Sequence, residues 1–418
     1  MTRKMKDSGV EWIGEIPENW ETRRLKNGLR KKKVIINKYD NQPILSLTMN
    51  GVSLRDLVNP KGKMPTTFDG YQEITPGNII ECLFDIDVTP RCVGIARDYG
   101  LTSPAYTQFE VINDFDTDFI YYYLLMLDND KILVPISKSL RNTITSDEFL
   151  ILPFSFPPVE EQRRISNRIS TETARINSII SKTQQSIDEL KKYKQALITE
   201  TVTKGLNKNV EMKDSGIEWI KKVPKSWEIK KTRFFLKEVS EKNYPNEEIL
   251  SLYRDYGVIP KNSRDDNHNV TSLDTSGYKL VNHNQLVINK MKAWQGSMAI
   301  SEIRGIISPA YYVYEVLDKQ IYIKFLHYAL RNNAYLDEYR RISAGLRIGQ
   351  WDLNKDLFKN VKIAFPSTMD EQRQIVDFLE EKIKWIDNIV IEKEHLLIQF
   401  EQLKQSLIYE YVTGKKEA

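Results

Sequence analysis

The chain lacks any run of eighteen apolar residues, so its sequence predicts no helix that spans a membrane. Its first residues, Met1 to Glu11, are polar and contain no apolar signal core, so we expect no secretory leader. The chain has only two cysteines, Cys82 and Cys92, and such low usage suits a reducing compartment. We therefore expect a cytoplasmic protein.

Signatures of catalysis and cofactor binding are missing as well. There is no glycine-rich phosphate loop, no dinucleotide fingerprint and no Asn-Pro-Pro-aromatic motif of an amino-methyltransferase. The four histidines, His268, His283, His327 and His395, are scattered without the spacing of metal ligands. The sequence therefore predicts a chain with no catalytic site, no metal and no cofactor of its own.

A large excess of positive charge is also absent, since the net charge is only +4. A charge this small neither requires nor excludes a nucleic-acid partner, so the distribution of basic residues has to decide. Basic and amide side chains cluster in segments that we interpret as loops, and these residue types contact phosphates and base edges. A solvated surface is the alternative that charge alone leaves open. The candidates for DNA contact are Arg30, Lys31, Lys32, Lys138, Ser139, Arg141, Asn142, Lys290, Lys292, Gln295, Arg340, Arg341, Arg347 and Gln350.

What the chain does have is an internal repeat. The segment MKDSGVEWIGEIPENW at 5–20 returns as MKDSGIEWIKKVPKSW at 212–227. Further pairs follow in the same order, including Ser-Pro-Ala-Tyr at 103–106 and 308–311 and Leu-Arg at 140–141 and 346–347. We expect the tryptophans of the repeated segment, Trp12, Trp20, Trp219 and Trp227, to anchor a packed loop on each copy of a domain.

Each copy ends in a long stretch with the apolar spacing of a coiled-coil helix. Both stretches open with Phe-Pro and a Glu-Gln-Arg triplet, at 161–163 and 371–373. A 4-3-4-3 apolar seam follows, from Ile169 to Leu197 in the first copy and from Leu379 to Leu407 in the second. A rod of that length cannot bury its stripe alone, so we expect the two helices to pair, and Gly205 is a plausible helix stop.

The predicted fold class is α+β, with two globular mixed α/β domains separated by two long antiparallel helices that form a coiled coil. The internal repeat implies a pseudo-two-fold arrangement. The predicted boundaries are 1–156 for the first domain and 157–204 for the first long helix. A linker and the second domain then occupy 205–365, and the second long helix occupies 366–414.

Over essentially its whole length, the sequence resembles the specificity subunits of type I restriction-modification systems. The repeated segments at 5–20 and 212–227, the Ser-Pro-Ala-Tyr and Leu-Arg elements and the two helix openings carry this resemblance. It implies two target-recognition domains that each read one half of a split double-stranded DNA site. The helices would set the gap between the half-sites and dock two methyltransferase subunits, and restriction subunits would join the complex. S-adenosylmethionine, ATP and Mg²⁺ would belong to those partners, and no base-reading residue can be carried over by name.

Outward residues of the helices, Arg164, Arg168, Lys382 and Lys384, are candidates for the methyltransferase interface, with solvent-facing charge as the alternative. The acidic residues of the first turns favour the helix dipole and could also contact a partner. Two rival functions stay open on the sequence. One is a non-catalytic coiled-coil scaffold without DNA specificity, and the other is an enzyme whose site has no recognisable motif. DNA binding separates the first rival from a recognition subunit, and DNA cleavage with Mg²⁺ would reveal the second.

Overall fold

The computed structural model describes residues 3–60, 64–113, 115–137, 141–254, 256–264, 274–347 and 350–418, without the side chains of residues 346, 347 and 350. The chain divides into two compact units, Met1–Gln184 with His395–Ala418, and Gln185–Glu394. Each unit therefore contains one copy of the repeated segment and part of both long helices.

The first unit is built mainly from short antiparallel strands. A four-stranded sheet in the order β4-β11-β8-β9 is accompanied by the two-stranded pairs β1-β2, β3-β12, β5-β6 and β7-β10. The strands are β1 (Met5–Asp7), β2 (Glu15–Pro17), β3 (Glu21–Arg24), β4 (Leu29–Lys32), β5 (Leu45–Thr48), β6 (Gly51–Leu54), β7 (Gln72–Ile74), β8 (Ile79–Glu81), β9 (Val93–Ile95), β10 (Gly100–Thr102), β11 (Thr107–Val111) and β12 (Pro153–Phe156). The helices are α1 (Thr117–Asn129), α2 (Ser146–Leu150) and the first part of α3 (Val159–Lys204).

The second unit repeats this topology, and its described residues also include a hairpin, β24-β25. Its four-stranded sheet has the order β16-β23-β20-β21, and its pairs are β13-β14, β15-β26, β17-β18, β19-β22 and β24-β25. The strands are β13 (Met212–Asp214), β14 (Lys222–Pro224), β15 (Glu228–Lys231), β16 (Leu236–Val239), β17 (Leu250–Tyr253), β18 (Gly257–Pro260), β19 (Lys279–Val281), β20 (Leu286–Asn289), β21 (Met298–Ile300), β22 (Gly305–Ile307), β23 (Tyr311–Val316), β24 (Ser343–Arg347), β25 (Gln350–Leu353) and β26 (Lys362–Phe365). The helices are α4 (Ile323–Arg331), α5 (Leu336–Arg341), α6 (Lys355–Phe358) and the first part of α7 (Met369–Val412).

The two long helices pair antiparallel within each unit, as the apolar seam predicts. In the first unit Arg168 contacts Tyr411 and Asn177 contacts Lys404, whereas in the second unit Lys191 contacts Glu394. Every predicted seam position is buried or half-buried on both helices. The expected α+β fold with long antiparallel helices is confirmed, while the exact domain boundaries stay a prediction.

Two polar positions interrupt the apolar seam at places that the repeat relates. Lys194 donates to both carboxylate oxygens of Asp387 at 2.7 and 2.8 Å, and Lys404 donates to Asn177 at 3.1 Å. Lys404 lies 210 residues after Lys194, and Asp387 lies 210 residues after Asn177. Polar groups at seam positions reject pairings that would leave them unsatisfied, so these contacts favour a single register of the helix pair.

The Glu-Gln-Arg triplets join each long helix to its own domain. Gln162 accepts the backbone N–H of Asp116, the cap of α1, at 2.9 Å, and Gln372 accepts that of Tyr322, the cap of α4, at 2.7 Å. Both glutamines are buried, and both also donate to the carbonyl of the proline that precedes the helix, Pro157 or Pro366. The triplet is visible in the sequence. The structure shows that its glutamine, in the first turn of a long helix, hydrogen-bonds to the backbone at the start of α1 or α4.

The repeated tryptophan segment packs against both long helices in each unit. The glutamates of the two triplets contact it or its flank. Glu161 pairs at 2.5 Å with Arg3, which lies over the ring of Trp20, and the indole of Trp227 donates to Glu371 at 2.9 Å. The other helix ends two residues before Gly414 in the first unit and directly before Gly205 in the second, and both glycines have a positive φ. A Cβ on Gly414 would clash with Pro17, and one on Gly205 would touch Trp227. The predictions of packed loops and of a helix stop at Gly205 are confirmed.

Replacing the buried Trp227 by alanine is expected to lower the free energy of unfolding by about 3–5 kcal/mol, because a large cavity opens beside α7. Trp227→Phe keeps an aromatic ring but leaves Glu371 without its indole donor, so we expect a smaller loss of about 1–3 kcal/mol. Urea denaturation followed by circular dichroism measures both. Trp385→Ala, at a side chain that is 57% exposed on the same helix, is the control. An equal loss in Trp227→Ala and the control would contradict the anchoring role.

Candidate nucleic-acid interface

In each unit, one loop lies against the segment that follows the Leu-Arg pair. This loop follows β8 in the first unit and β20 in the second. In the first unit the amide of Ile144 donates to the carbonyl of Leu83 at 2.9 Å. In the second unit the amide of Leu353 donates to the carbonyl of Lys290 at 2.9 Å. We name residues 83–92 with 141–145 the first tip, and residues 290–297 with 350–354 the second tip. These tips contain many of the DNA-contact candidates.

The first tip carries an ion pair that the sequence does not reveal. Arg141 donates to both carboxylate oxygens of Asp85 at 2.8 and 3.1 Å, and the amide of Asp85 donates to the carbonyl of Arg141. The hydrogen bond from Arg141 lowers the pKa of Asp85, and the same bond raises the pKa of Arg141. Asn142 accepts from Ser137 and has a φ of 41°. The guanidinium of Arg141 is therefore positioned before any ligand arrives.

The other basic candidates of the first unit have partners within the domain or lie outside the described residues. On β4, Arg30 pairs with Glu110 at 2.5 Å and Lys31 donates to Ser146, at the start of α2. Lys32 donates to Thr75 at 3.2 Å and to Asn78 at 3.4 Å. Lys138 and Ser139 fall outside the described residues. Lys31 is thus tied to the helix that begins directly after the first tip.

The second tip is basic and aromatic. Lys292 and Gln295 are exposed, and the ammonium of Lys290 donates to the carbonyl of Pro309 at 2.8 Å while lying 4.8 Å from the ring centre of Tyr312. Trp294 lies beside Trp351 of β25, with ring centres 5.0 Å apart. Trp351 was not among the sequence candidates. The sequence does show that the segment after the Leu-Arg pair is longer in the second copy, and this difference could have pointed to Trp351.

Gln295 lies on a different side of its loop from the tryptophan. It lines a cleft of about 910 Å³, together with Arg254 and Tyr256 of the β17–β18 turn and Lys191 and Lys194 of α3. Both lysines in this cleft are paired with acidic residues of α7. The cleft is therefore polar, with much of its positive charge already compensated.

Arg340 and Arg341 on α5 each have an acidic partner one turn away. Arg340 pairs with Asp337 at 2.9 Å, and Arg341 forms a two-pronged contact with the largely buried Glu338 at 2.6 and 2.8 Å. The bond to Glu338 raises the pKa of Arg341. Arg347 and Gln350 are register partners in the β24–β25 hairpin, and their side chains lie outside the described part of the structure. DNA contact by these four residues stays a prediction.

The helix candidates differ in how free their charges are. Arg164 and Lys384 are exposed, whereas Arg168 donates to Tyr411 and pairs with Glu172. Lys382 pairs with Glu381 at 3.2 Å and lies over Phe378. Large apolar side chains of α7 are also exposed: Trp385 and Ile391 in the second unit, Ile398 and Leu403 in the first. Apolar side chains that are exposed singly are common on protein surfaces, so these four do not by themselves identify an interface.

Within the described ranges, no group of three or more His, Cys, Asp or Glu side chains is arranged to hold a metal ion. Cys82 and Cys92 are buried free thiols on the neighbouring ends of β8 and β9, where the amide of Cys82 donates to the carbonyl of Cys92 at 2.7 Å. Among the same residues, no helix is both long enough and apolar enough to cross a membrane.

The sequence matches the family described as the type I restriction modification DNA specificity domain over residues 94–189 and 224–398, which is more than half of the chain. A chain from a study of complex assembly and conformational transition of the type I R-M system is similar in structure, with a TM-score of 0.67 and 14% identity over 96% of this chain and 99% of that one. The HsdS subunit from Thermoanaerobacter tengcongensis gives a TM-score of 0.52 and 14% identity, over 96% and 98%. At this identity, the two structures support the shared fold.

Proposed function

The chain belongs to the type I restriction modification DNA specificity family, and we propose that each of its two recognition domains reads one half of a bipartite double-stranded DNA target. As a member of that family it is a DNA-recognition subunit and not an enzyme. The observation that carries the bipartite proposal is the repeated framework with two chemically different tips. The first tip presents an Asp85–Arg141 pair, and the second presents lysines and tryptophans. Two similar frames with different tips suit two different half-sites.

We propose that the paired long helices set the gap between the half-sites and dock two methyltransferase subunits, with restriction subunits joining the assembly. Trp385, whose side chain is 57% exposed on α7, is of the residue type that anchors protein interfaces most often and supports a protein partner there. The exposed charges of Arg164 and Lys384 are suited to the rim of such an interface. Arg168 and Lys382 are retained as candidates there, although each already has contacts within the chain.

We also propose that S-adenosylmethionine, ATP and Mg²⁺ are bound by the partner subunits. The family's role in DNA specificity supports this proposal, because recognition alone requires none of these groups. A cytoplasmic location follows from the same proposal, since the DNA of a prokaryotic cell is there. The DNA contacts that we propose are those of the two tips and their surroundings.

We expect the isolated chain to bind its target DNA weakly and to bind it more tightly once its methyltransferase subunits are added. The net charge of +4 supplies little counterion-release affinity, and several basic candidates are already paired. Gel-shift titration of cognate and scrambled duplexes at one fixed salt concentration measures this. Nanomolar binding by the chain alone would contradict the expectation. Absence of any preference for the cognate duplex in the full complex would contradict the bipartite proposal.

A further inference from the structure

Trp294 and Trp351 of the second tip are half-buried, as are Trp12 and Trp219 of the repeated segments. Trp294 comes from the 3₁₀ turn Ala293–Gln295 and Trp351 from β25, so residues far apart in sequence meet at one surface. Their rings lie 5.0 Å apart at 51°, and the indole of Trp294 donates to the carbonyl of Met291 at 3.1 Å. By contrast, Trp20 and Trp227 are fully buried. Part of each ring in the Trp294–Trp351 pair is therefore accessible to a ligand.

Lysines flank this pair in the sequence. Lys290 and Lys292 lie four and two residues before Trp294, and Lys355 lies four residues after Trp351. Burial and then the like charge of Lys290, with further contributions from Lys242 and Lys355, lower the pKa of Lys279, although Glu238 opposes the shift. Glu238 also pairs with Lys355 at 3.1 Å, and Asp352 lies next to Trp351 in the chain. The exposed ammonium of Lys292, two residues from Trp294, suits a polyanion as the ligand of this surface.

The segment that carries Trp351 is longer than its counterpart in the first copy. Three residues separate Arg141 from Thr145, the cap of α2, whereas six separate Arg347 from Asn354, the cap of α6. At the matching place the first tip presents the Asp85–Arg141 pair. The tryptophan pair is therefore a feature of the second domain, and it is not part of the framework that the two domains share.

We propose that the Trp294–Trp351 pair is an apolar contact to DNA bases in the second half-site, and that Lys292 beside it contacts a backbone phosphate. The proposal rests on the proposed function and names the residues that confer specificity on one domain. Indole rings offer flat apolar surface to base faces and thymine methyl groups, whereas an ammonium group contacts phosphate without reading sequence. The two kinds of residue should therefore affect binding differently.

The test uses the full complex with its methyltransferase subunits and three duplexes: cognate, scrambled in the second half-site, and scrambled in the first. Trp351→Ala is expected to weaken cognate binding about 10- to 100-fold. It should not change binding to the duplex with a scrambled second half-site. It should also not change the slope of log affinity against log salt. Lys292→Ala is expected to weaken binding to all three duplexes alike and to reduce the slope of log affinity against log salt by about one.

Phe234→Ala is the matched control, because this exposed aromatic side chain lies in the 3₁₀ turn Thr232–Phe234 of the same unit and outside the tip. Trp351→Phe should retain part of the discrimination, which separates loss of the ring from loss of the hairpin. Equal losses of Trp351→Ala on cognate and scrambled duplexes, no loss at all, or failure of that variant to assemble with its partners would overturn the proposal. A wild-type complex that does not distinguish cognate from scrambled DNA would instead overturn the proposed function.

Discussion

Deleting one heptad from each long helix is expected to abolish methylation of the native DNA target by the assembled complex. The segments are residues 182–188 and 392–398, which the 210-residue repeat relates. Removing seven residues from each helix preserves the apolar seam. It shortens the helix pair by about 10 Å, which corresponds to about three base pairs of duplex. We therefore expect either a target whose gap is shorter by about three base pairs or no specific binding.

Methylation mapping in cells that express the deleted chain with its methyltransferase partner measures this outcome. The matched control exchanges the two heptads, since that variant changes the same residues without changing helix length. The exchange should keep the native gap. If the double deletion methylates the native target with the native gap, the helices do not set the spacing.

Replacing residues 30–150 by residues 237–359 of the same chain is expected to convert the target into one with two copies of the second half-site. The framework that receives the second domain is already compatible with it. Gln162 accepts the backbone N–H of Asp116 at the start of α1, and Gln372 accepts that of Tyr322 at the start of α4. In the chimera, Gln162 can therefore make to the introduced domain the contact that Gln372 makes in the native chain. The native first half-site should disappear from the methylation map, which is a complete change at one half of the target.

The reciprocal exchange is the control, because a copy of residues 30–150 in the second unit should produce a target with two first half-sites. Thermal unfolding of both chimeras shows whether they fold. If a folded chimera alters both half-sites, or neither, then the two domains do not read DNA independently.

The repeat made much of the framework predictable from sequence, because its signals are local. The heptad spacing predicts the long helices, and Gly205 marks the end of one of them, as its φ of 75° confirms. The repeated Trp20 and Trp227 predict packed loops, since large aromatic side chains at matching places favour a shared core. In each case the residue type and its spacing carry the physical cause.

Contacts between distant segments were not predictable in the same way. Asp85 and Arg141 are 56 residues apart, and no local sequence pattern predicts that they form an ion pair. The sheet order β4-β11-β8-β9 is likewise not the order of the chain, so pairing of β4 with β11 depends on the folded core. Several residues that the sequence assigned to a free basic surface therefore have acidic partners, as Arg30 and Arg341 do.

The candidate site was predictable only in part for the same reason. Lys290 and Lys292 were found because they are basic and close together, whereas Trp351 was missed because one tryptophan in a strand carries no charge signal. Its importance depends on meeting Trp294 across 57 residues of sequence. The contribution of each candidate to DNA binding, and the exact boundaries of the domains, stay predictions.

The most direct test of the account is a map of methylated bases in the DNA of a host that expresses this chain with its methyltransferase partner, compared with a host that lacks the chain. The account predicts one sequence motif, made of two short and different half-sites separated by a gap of fixed length, and no such methylation when the chain is absent. Methylation at a single undivided motif, at variable gaps, or at the same sites without the chain would contradict it.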